Sequence, residues 1–282
     1  MRNESDPVAD GQPGSGFACR ADLNIHSSFS DRPSDWFLRR TGATESFVAP
    51  DVLYDRCRAR GMDFVTITDH NTLGGCLEIA DRPGTFLSSE LTTYFPENDG
   101  KVHVLVFGIT EEQFGRLDEA RENVYDLREL LVAEQIAHAV SHPLYPVNDR
   151  LTAELVEKML VLFNSFEAIN GMRDPGAALT LRMILDHLTP DILASLADAH
   201  GIEPHGEEPW KKRLTGGSDD HSGLYAARAF TGTPAADDTA GYLDHLRRGR
   251  HTPGGEAGSS LLFAHGLIQI ACSYYREHFL ER

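Results

Sequence analysis

The sequence predicts an α/β fold, and more narrowly a closed or distorted barrel of seven strands with helices between them. Short apolar runs alternate with amphipathic stretches along most of the chain, no internal repeat interrupts this order, and no segment has the composition of a second domain. Such alternation is typical of parallel βα units, and seven units suit a barrel better than an open sheet. The predicted strands cover residues 21–25, 64–68, 85–87, 102–107, 138–140, 166–169 and 214–216.

The stretches between these runs have the periodicity of helices. The clearest covers residues 50–60, where Pro50 lies in the first turn, Leu53 and Cys57 share an apolar stripe, and Gly61 is a stop signal. Further helices are predicted at residues 111–122, 125–135, 153–160, 177–187, 190–200, 240–248 and 259–279. We therefore expect a flexible tail (residues 1–18), a barrel (19–250), and a helical extension (251–282) that packs on the barrel or joins it to a second subunit.

Composition limits the classes of function. With 282 residues, 41% of them hydrophobic, the chain can bury a large core. No run approaches the roughly 20 apolar residues that cross a bilayer, so we expect a soluble, cytoplasmic protein with no membrane partner. The four cysteines are scattered and predict reduced thiols. A net charge of −17 argues against an extended nucleic-acid surface, although bound cations would still admit a small phosphorylated substrate.

Side chains that commonly bind metals follow the predicted strands. They are Asn24 and His26, Asp69 and His70, Glu90, His142, and Asp219 and His221, while His103 lies within its strand. Because the carboxyl ends of parallel barrel strands converge on one face, we expect these side chains to meet in a single cleft. Taken alone, TITDHN could be a capping turn and GGSDDHSG a flexible glycine-rich loop. Their joint occurrence, each after an apolar run, favours a metal site.

The chemistry of this set is that of a metallohydrolase. Imidazoles and carboxylates together suit zinc, manganese or iron, and a carboxylate such as Glu90 can bridge two ions. Paired ions clamp a phosphoryl group and lower the pKa of a bound water, which supplies a hydroxide nucleophile. The sequence therefore predicts a hydrolase that needs neither serine nor cysteine as its nucleophile.

Six segments carry a family resemblance: DLNIHSSFSD, ITDHN, SSEL, KVHVLVFG, VSHP and GGSDDH, in this order between about residues 21 and 225. They resemble the polymerase and histidinol phosphatase (PHP) family of phosphoesterases. The resemblance implies a distorted, TIM-like (β/α)7 barrel with two or three divalent ions at its C-terminal face. It also implies three ligand groups, namely His26 with Glu90 and Asp219, Glu90 with His103 and His142, and Asp31 with His70 and His221.

Two more roles follow from the resemblance. The catalytic water is expected to be held through Glu90, His103, His142 and Asp219. Asp69 is expected to orient a ligand without touching an ion.

Asn24 departs from the family pattern. Family members usually begin with Asp-x-His-x-His, and Asn24 stands where the first histidine is expected. An amide oxygen is a neutral and weaker ligand than imidazole, so we expect the first metal to be held less tightly, through Asn24 or through water in its place. A natural specialisation, an introduced substitution and a loss of activity all remain open.

Four basic residues are candidates for contact with phosphate oxygens: Arg173, Lys211, Lys212 and Arg213. A solvated basic cluster is the alternative for them. The long segment after the first strand, with Arg32, Trp36, Arg39 and Arg40, is predicted to form a lid.

The leading hypothesis is hydrolysis of a phosphomonoester or a small phosphodiester by a metal-activated hydroxide. Its rivals are an amide or ester hydrolase that uses the same ions, and a catalytically weakened PHP-like metal-binding module. The expected partner is a small phosphorylated substrate, and a homo-oligomer could form through the C-terminal helix.

Overall fold

A computed structural model describes residues 17–30 and 44–279, and in these ranges the chain is an α/β structure. Its strands are β1 (Cys19–Ala21), β2 (Ser88–Phe95), β3 (Gly100–Phe107), β4 (Ala137–Val140), β5 (Ser165–Asn170), β6 (Arg213–Gly217), β7 (Ala229–Thr233) and β8 (Thr252–Gly255). Its helices are α1 (Pro50–Ala59), α2 (Gly74–Glu78), α3 (Glu111–Ala120), α4 (Val124–Ala133), α5 (Ala153–Leu162), α6 (Pro175–Asp186), α7 (Pro190–His200), α8 (Thr239–Arg247) and α9 (Ser260–Phe279). Most of the predicted tail, and Asp31, Arg32, Trp36, Arg39 and Arg40 of the predicted lid, lie outside the described residues.

The strands of the described residues form two sheets. Five strands pair in the order β2-β3-β4-β5-β6, and three pair in the order β1-β7-β8. In the larger sheet β2, β3 and β4 are antiparallel, whereas β4, β5 and β6 are parallel. The expectation of parallel βα units throughout was therefore wrong. Four residues, 96–99, join β2 to β3, and so short a connection can only form a hairpin.

Isolated parallel bridges continue the strand pairing beyond these sheets. They join Val65 to Thr85, His70 to Glu90, and Ile25 to Asp220. The predicted strands at 21–25, 64–68 and 85–87 thus pair mostly through single bridges and not through continuous ladders. One reason is that a side chain takes the place of a backbone hydrogen-bond partner. The Thr68 hydroxyl accepts from the backbone N–H of Ile25 at 2.9 Å. A closed ring of continuous strands is not found among the described residues, and the barrel stays a prediction.

The core lies on both faces of the larger sheet, and this alternation orients the functional side chains. Val104 and Val106 of β3 belong to a cluster that contains buried residues of α3 to α7. Leu105 and Phe107 belong to a second cluster with residues near β1 and in α8. Because strand side chains alternate between faces, His103 shares the face of Leu105 and Phe107. It therefore points away from the helices α3 to α7.

The residues after 250 are not only helical. β8 pairs antiparallel with β7, so a strand precedes α9. One side of α9 is buried at Gly266 and Ile270, while Leu261, Ile268 and Tyr275 are exposed. Whether this exposed side joins two subunits stays a prediction. In the described part of the chain, every helix is too short or too polar to span a bilayer.

Candidate metal centre

Eight of the predicted ligand side chains lie together in one buried cluster, although they come from segments spread between residues 24 and 221. They are Asn24, His26, His70, Glu90, His103, His142, Asp219 and His221. Asp31, the ninth, lies outside the described residues. The cluster sits where β4 and β6 end and where β2 and β3 pair, so the sheet brings its members together.

Glu90 is at the centre of the cluster and is fully buried. Its Oε1 lies 3.1 Å from His103 Nδ1 and 3.3 Å from His142 Nε2. Its Oε2 lies 3.1 Å from His26 Nε2 and 3.6 Å from His70 Nδ1. The two oxygens of one carboxylate therefore face two different pairs of imidazoles.

Three overlapping groups have ligand atoms within 4.8 Å of one another: His26 with Glu90 and Asp219, His70 with Glu90 and His103, and His26 with His70 and His221. The first has the same members as a group that the family resemblance implies. His26 and His221 stack, with ring centroids 4.1 Å apart and an interplanar angle of 16°. The cluster is thus compact enough to hold more than one cation.

Glu45 adds a carboxylate that the sequence interpretation missed. Its Oε2 lies 3.4 Å from His70 Nε2, and its Oε1 lies 3.7 Å from His221 Nε2. Glu45 thus stands beside the two histidines that were expected to share a metal with Asp31. No pattern in the sequence could have found it, because it lies in a segment without strand or helix periodicity.

The residues present fit a metal, as their unused hydrogen-bonding atoms show. Within residues 17–30 and 44–279, His70 Nδ1, His142 Nδ1 and His221 Nε2 are buried without a hydrogen-bond partner. A buried polar atom left unpaired destabilises a fold. Unpaired atoms also occur elsewhere among the described residues, at His251 for example, but here three such imidazole nitrogens lie together beside carboxylates. Imidazole nitrogens next to carboxylates are the donor set of zinc, manganese and iron.

The pKa shifts of His70, Glu90 and Asp219 suit cation binding. The pKa of His26 is the exception, because Asp219 and Glu90 raise it well above its usual value despite burial, so a cation bound there would displace a proton. Burial lowers the pKa of His70 to about 3, which keeps its ring neutral at physiological pH. Burial alone would raise the pKa of Glu90, but His70 and His103 hold it well below its usual value. Burial opposes ionisation of Asp219 as well, and the charge of Arg173 and a hydrogen bond from His26 lower its pKa nevertheless. Neutral imidazole and ionised carboxylate are the forms that bind metal.

The carboxylate of Asp69 reaches the cluster through a serine. It accepts from the backbone N–H of Ser27 at 2.7 Å and from the Ser27 hydroxyl at 2.6 Å. Ser30 donates its hydroxyl proton to Asp69 at 2.9 Å, and its oxygen lies 3.2 Å from His26 Nδ1. Because Ser30 has no second proton to give, His26 donates from Nδ1, and its Nε2 is the nitrogen that faces Glu90 and Asp219. The orienting role expected of Asp69 stays a prediction.

Asn24 presents its amide oxygen to the cluster. Its Nδ2 donates to Glu167 Oε1 and to Ser141 Oγ, each at 3.0 Å, and its Oδ1 lies 3.0 Å from His26 Nε2. Glu167 is a second residue that the sequence interpretation missed. Burial, reinforced by the charge of Asp219, raises the pKa of Glu167 to about 8. Its only sequence signal is an acidic residue inside an otherwise apolar strand.

Local backbone shape brings two strand ends into the cluster. His142 and Asp219 have φ values of +29° and +52°, which residues other than glycine rarely adopt. Such strain is found mostly where function requires it. β6 also passes very close to Asn24, because a Cβ on Gly217 would lie 2.4 Å from the Asn24 Cβ. Only glycine permits this approach.

A cleft of about 360 Å³ opens onto the cluster. Arg173, one of the predicted substrate-binding residues, lines it and places Nε 3.2 Å from Asp219 Oδ2. Its guanidinium lies over the ring of Tyr145, 3.8 Å from the centroid. Phe263 and Leu267 of α9 also line the cleft.

The structure does not bring Lys211, Lys212 and Arg213 to this cleft. They stand at the beginning of β6, whereas Asp219 follows its end. Lys211 pairs with Glu208, Lys212 donates to the backbone oxygen of Phe163, and Arg213 donates to that of Arg247. The expectation that these three bind substrate phosphate at the metal centre is corrected, because a strand separates the two ends.

Comparisons with known proteins show the fold only. No protein-family model matches the chain, and no curated protein matches it. The crystal structure of PsfC from Pseudomonas syringae is similar, with a TM-score of 0.51 and 14% identity over 91% of this chain and 98% of PsfC. A candidate metal-dependent phosphoesterase from Bifidobacterium adolescentis has a TM-score of 0.42 and 17% identity over 72% of this chain and 88% of its own. An amidohydrolase from Chromobacterium violaceum, with bound sulfate and no metal, has a TM-score of 0.44 and 16% identity over 71% and 87%.

Proposed function

We propose that this chain is a metal-dependent phosphoesterase of the PHP type, which hydrolyses a phosphomonoester or a small phosphodiester. The observation that carries the proposal is the position of Glu90, whose two buried oxygens face separate pairs of imidazoles. A carboxylate in this position is suited to hold two cations side by side. Paired cations are the arrangement that clamps a phosphoryl group during hydrolysis.

The proposal assigns the ligands to three positions. The first is formed by Asn24, His26, Glu90 and Asp219, the second by Glu90, His103 and His142, and the third by Glu45, His70 and His221. Divalent ions held there would lower the pKa of a coordinated water and neutralise charge on the phosphoryl oxygens. The parallel bridge from Ile25 to Asp220 supports the distorted barrel of this family, because it links the first predicted strand to the segment that follows β6.

Arg173 binds the phosphoryl group on this proposal. Its guanidinium is held between Asp219 and the ring of Tyr145, so its direction is fixed before substrate arrives. Asn170 keeps the neighbouring carboxylates in place, since its Nδ2 donates to Glu167 at 2.8 Å and to Asp219 at 3.2 Å. These bonds occupy Asp219 Oδ2 and leave Oδ1 directed toward His26, 3.6 Å away.

Chelation and reconstitution test the proposal. The purified chain is assayed on p-nitrophenyl phosphate and bis(p-nitrophenyl) phosphate, then treated with a strong chelator and reloaded with manganese or zinc. We expect activity to disappear on chelation and to return with metal. Activity that is indifferent to the chelator would contradict the proposal. Turnover of amides or lactones but of no phosphate ester would instead assign another hydrolase, and a folded, metal-loaded protein without turnover would be a binding module.

A further inference from the structure

A second cavity adjoins the cleft at the metal centre. The first cavity, here called the metal lobe, has a volume of about 360 Å³. The second, here called the apolar lobe, has a volume of about 310 Å³ and lies between α6 and the start of α9. The two lobes share five of their lining residues: His142, Tyr145, Met172, Arg173 and Phe263. These shared residues, here called the waist, lie between the two lobes and place the lobes side by side.

The walls of the apolar lobe are mainly hydrocarbon. Beyond the waist they include Leu144, Ala168, Ala177 and Leu181. The lobe therefore offers a ligand van der Waals contact and removal of apolar surface from water.

Three of the polar side chains that reach this lobe, those of Glu167, Asn170 and Asp174, are already hydrogen-bonded within the protein. Glu167 accepts from Asn24 and from the backbone N–H of His142. Asn170 accepts from the backbone N–H of Met172 at 3.0 Å, and Asp174 accepts from that of Gly176 at 2.7 Å. A ligand rich in hydroxyl groups, such as a sugar, would lose hydrogen bonds to water here and gain few in return.

The waist lies between the charged groups of the metal lobe and the hydrocarbon walls of the apolar lobe. On one side Arg173 lies 3.2 Å from Asp219, beside the metal lobe. On the other, its guanidinium lies 3.8 Å from the Tyr145 centroid and 5.7 Å from that of Phe263. A phosphoryl group held at Arg173 is thus flanked by two aromatic rings and the thioether of Met172, which favour contact with another ring.

We propose that the apolar lobe binds the organic group of the phosphate ester, and that this group is an aromatic hydrocarbon of one or two rings. The inference rests on the proposed function, which puts the phosphoryl group in the metal lobe. A volume of about 310 Å³ is at the small end of ligand pockets and accommodates a group of this size.

Binding of non-hydrolysable phosphonates tests the inference independently of turnover. Calorimetry on the metal-loaded protein compares methylphosphonate with (1-naphthylmethyl)phosphonate, which share the anionic group and differ in the ring. Burial of the ring is expected to strengthen binding by about 30-fold. Equal affinity for the two phosphonates would overturn the inference.

Two substitutions on α6 locate the preference. Ala177→Phe inserts a ring into the apolar lobe and is expected to reduce the affinity ratio of the two phosphonates to near one. The matched control is Leu179→Phe, since Leu179 lies on the same helix, is 62% exposed, and does not line the lobe. The control is expected to keep the wild-type ratio, and a ratio that survives Ala177→Phe would also overturn the inference.

Phe263→Ala gives a second readout from α9. It removes one aromatic wall of the waist and is expected to weaken binding of the naphthyl ligand by about tenfold; unchanged binding would count against the inference. The proposed function fails separately, if the metal-loaded protein binds phosphonates yet hydrolyses no phosphate ester. If a protein with full metal content binds neither phosphonate, both ideas fail together.

Discussion

The two ends of β6 carry ionisable side chains that lie in different surroundings. Asp219 and His221 follow its carboxyl end and lie among ligands from several other segments. Lys212 and Arg213 stand at its amino end and contact backbone oxygens instead. A strand rises about 3.3 Å per residue, so side chains only a few positions apart in sequence reach opposite edges of the sheet. The direction of the strand decides which of them can take part in chemistry.

The electrostatics of the two ends differ as well. At the carboxyl end Asp219 is buried next to Arg173 and His26, which stabilise its charge. At the amino end burial lowers the pKa of Lys212 to about 7, so its positive charge is disfavoured. The charge of Asp219 is thus stabilised at the carboxyl end of β6, whereas the charge of Lys212 is disfavoured at the amino end.

The largest expected effect comes from Glu90→Gln. The substitution keeps the shape of the side chain but removes the charge that two metal positions share. We expect kcat/KM for a phosphate ester to fall by about 10³-fold or more, together with a loss of bound metal measured by elemental analysis. Glu208→Gln, at the amino end of β6, is the matched control and should retain both. Wild-type metal content in Glu90→Gln would contradict the assignment.

Arg173→Ala is expected to have the next largest effect. Loss of a fixed cation beside the phosphoryl group should lower kcat/KM by about 10²-fold, while the metal content stays constant. Arg213→Ala removes the same charge at the other end of β6 and should change kcat/KM by less than about twofold. Equal losses in the two variants would remove the distinction between the two ends.

Asn24→His tests whether residue 24 faces the first metal position. An imidazole is a stronger ligand than an amide, so we expect a severalfold gain in zinc affinity in a competition titration. The gain is limited because the variant loses the hydrogen bonds from Asn24 Nδ2 to Glu167 and Ser141. Unchanged metal affinity and turnover would mean that Asn24 does not face a metal.

Lys212→Met should have the smallest effect, and on stability alone. The pKa of Lys212 is about 7 in the folded protein and 10.5 in the unfolded chain. As pH falls from 10.5 to 7, the unfolded chain takes up a proton that the folded protein does not, so the wild type loses stability. The Lys212→Met variant has no amine to protonate at this position, so it does not lose stability in this way. Its free energy of unfolding relative to wild type should therefore be higher at pH 7 than at pH 10, and chemical denaturation at both values measures the difference. A pH-independent difference would be the contrary result.

The candidate ligands could be predicted from the sequence because each stands in or just after an apolar run. Strand direction could not, since an apolar run has the same pattern in a parallel or an antiparallel pair. β2 was not predicted either, because it begins just after the predicted strand at 85–87. β7 and β8, which consist of AFTGT and TPGG, were not predicted because neither contains a long apolar run. Glu45 and Glu167 were not predicted as members of the site, for another reason. Their place at the metal centre depends on the path of a loop and the register of β5, which are set by tertiary packing.

Anomalous X-ray diffraction from crystals grown with manganese or zinc tests the central claim most directly. Data on both sides of the absorption edge of the metal locate each ion. We expect two anomalous peaks flanking Glu90, one near each carboxylate oxygen and each about 2.0–2.2 Å from it. Metal-loaded crystals without a peak at either oxygen of Glu90 would contradict the central claim.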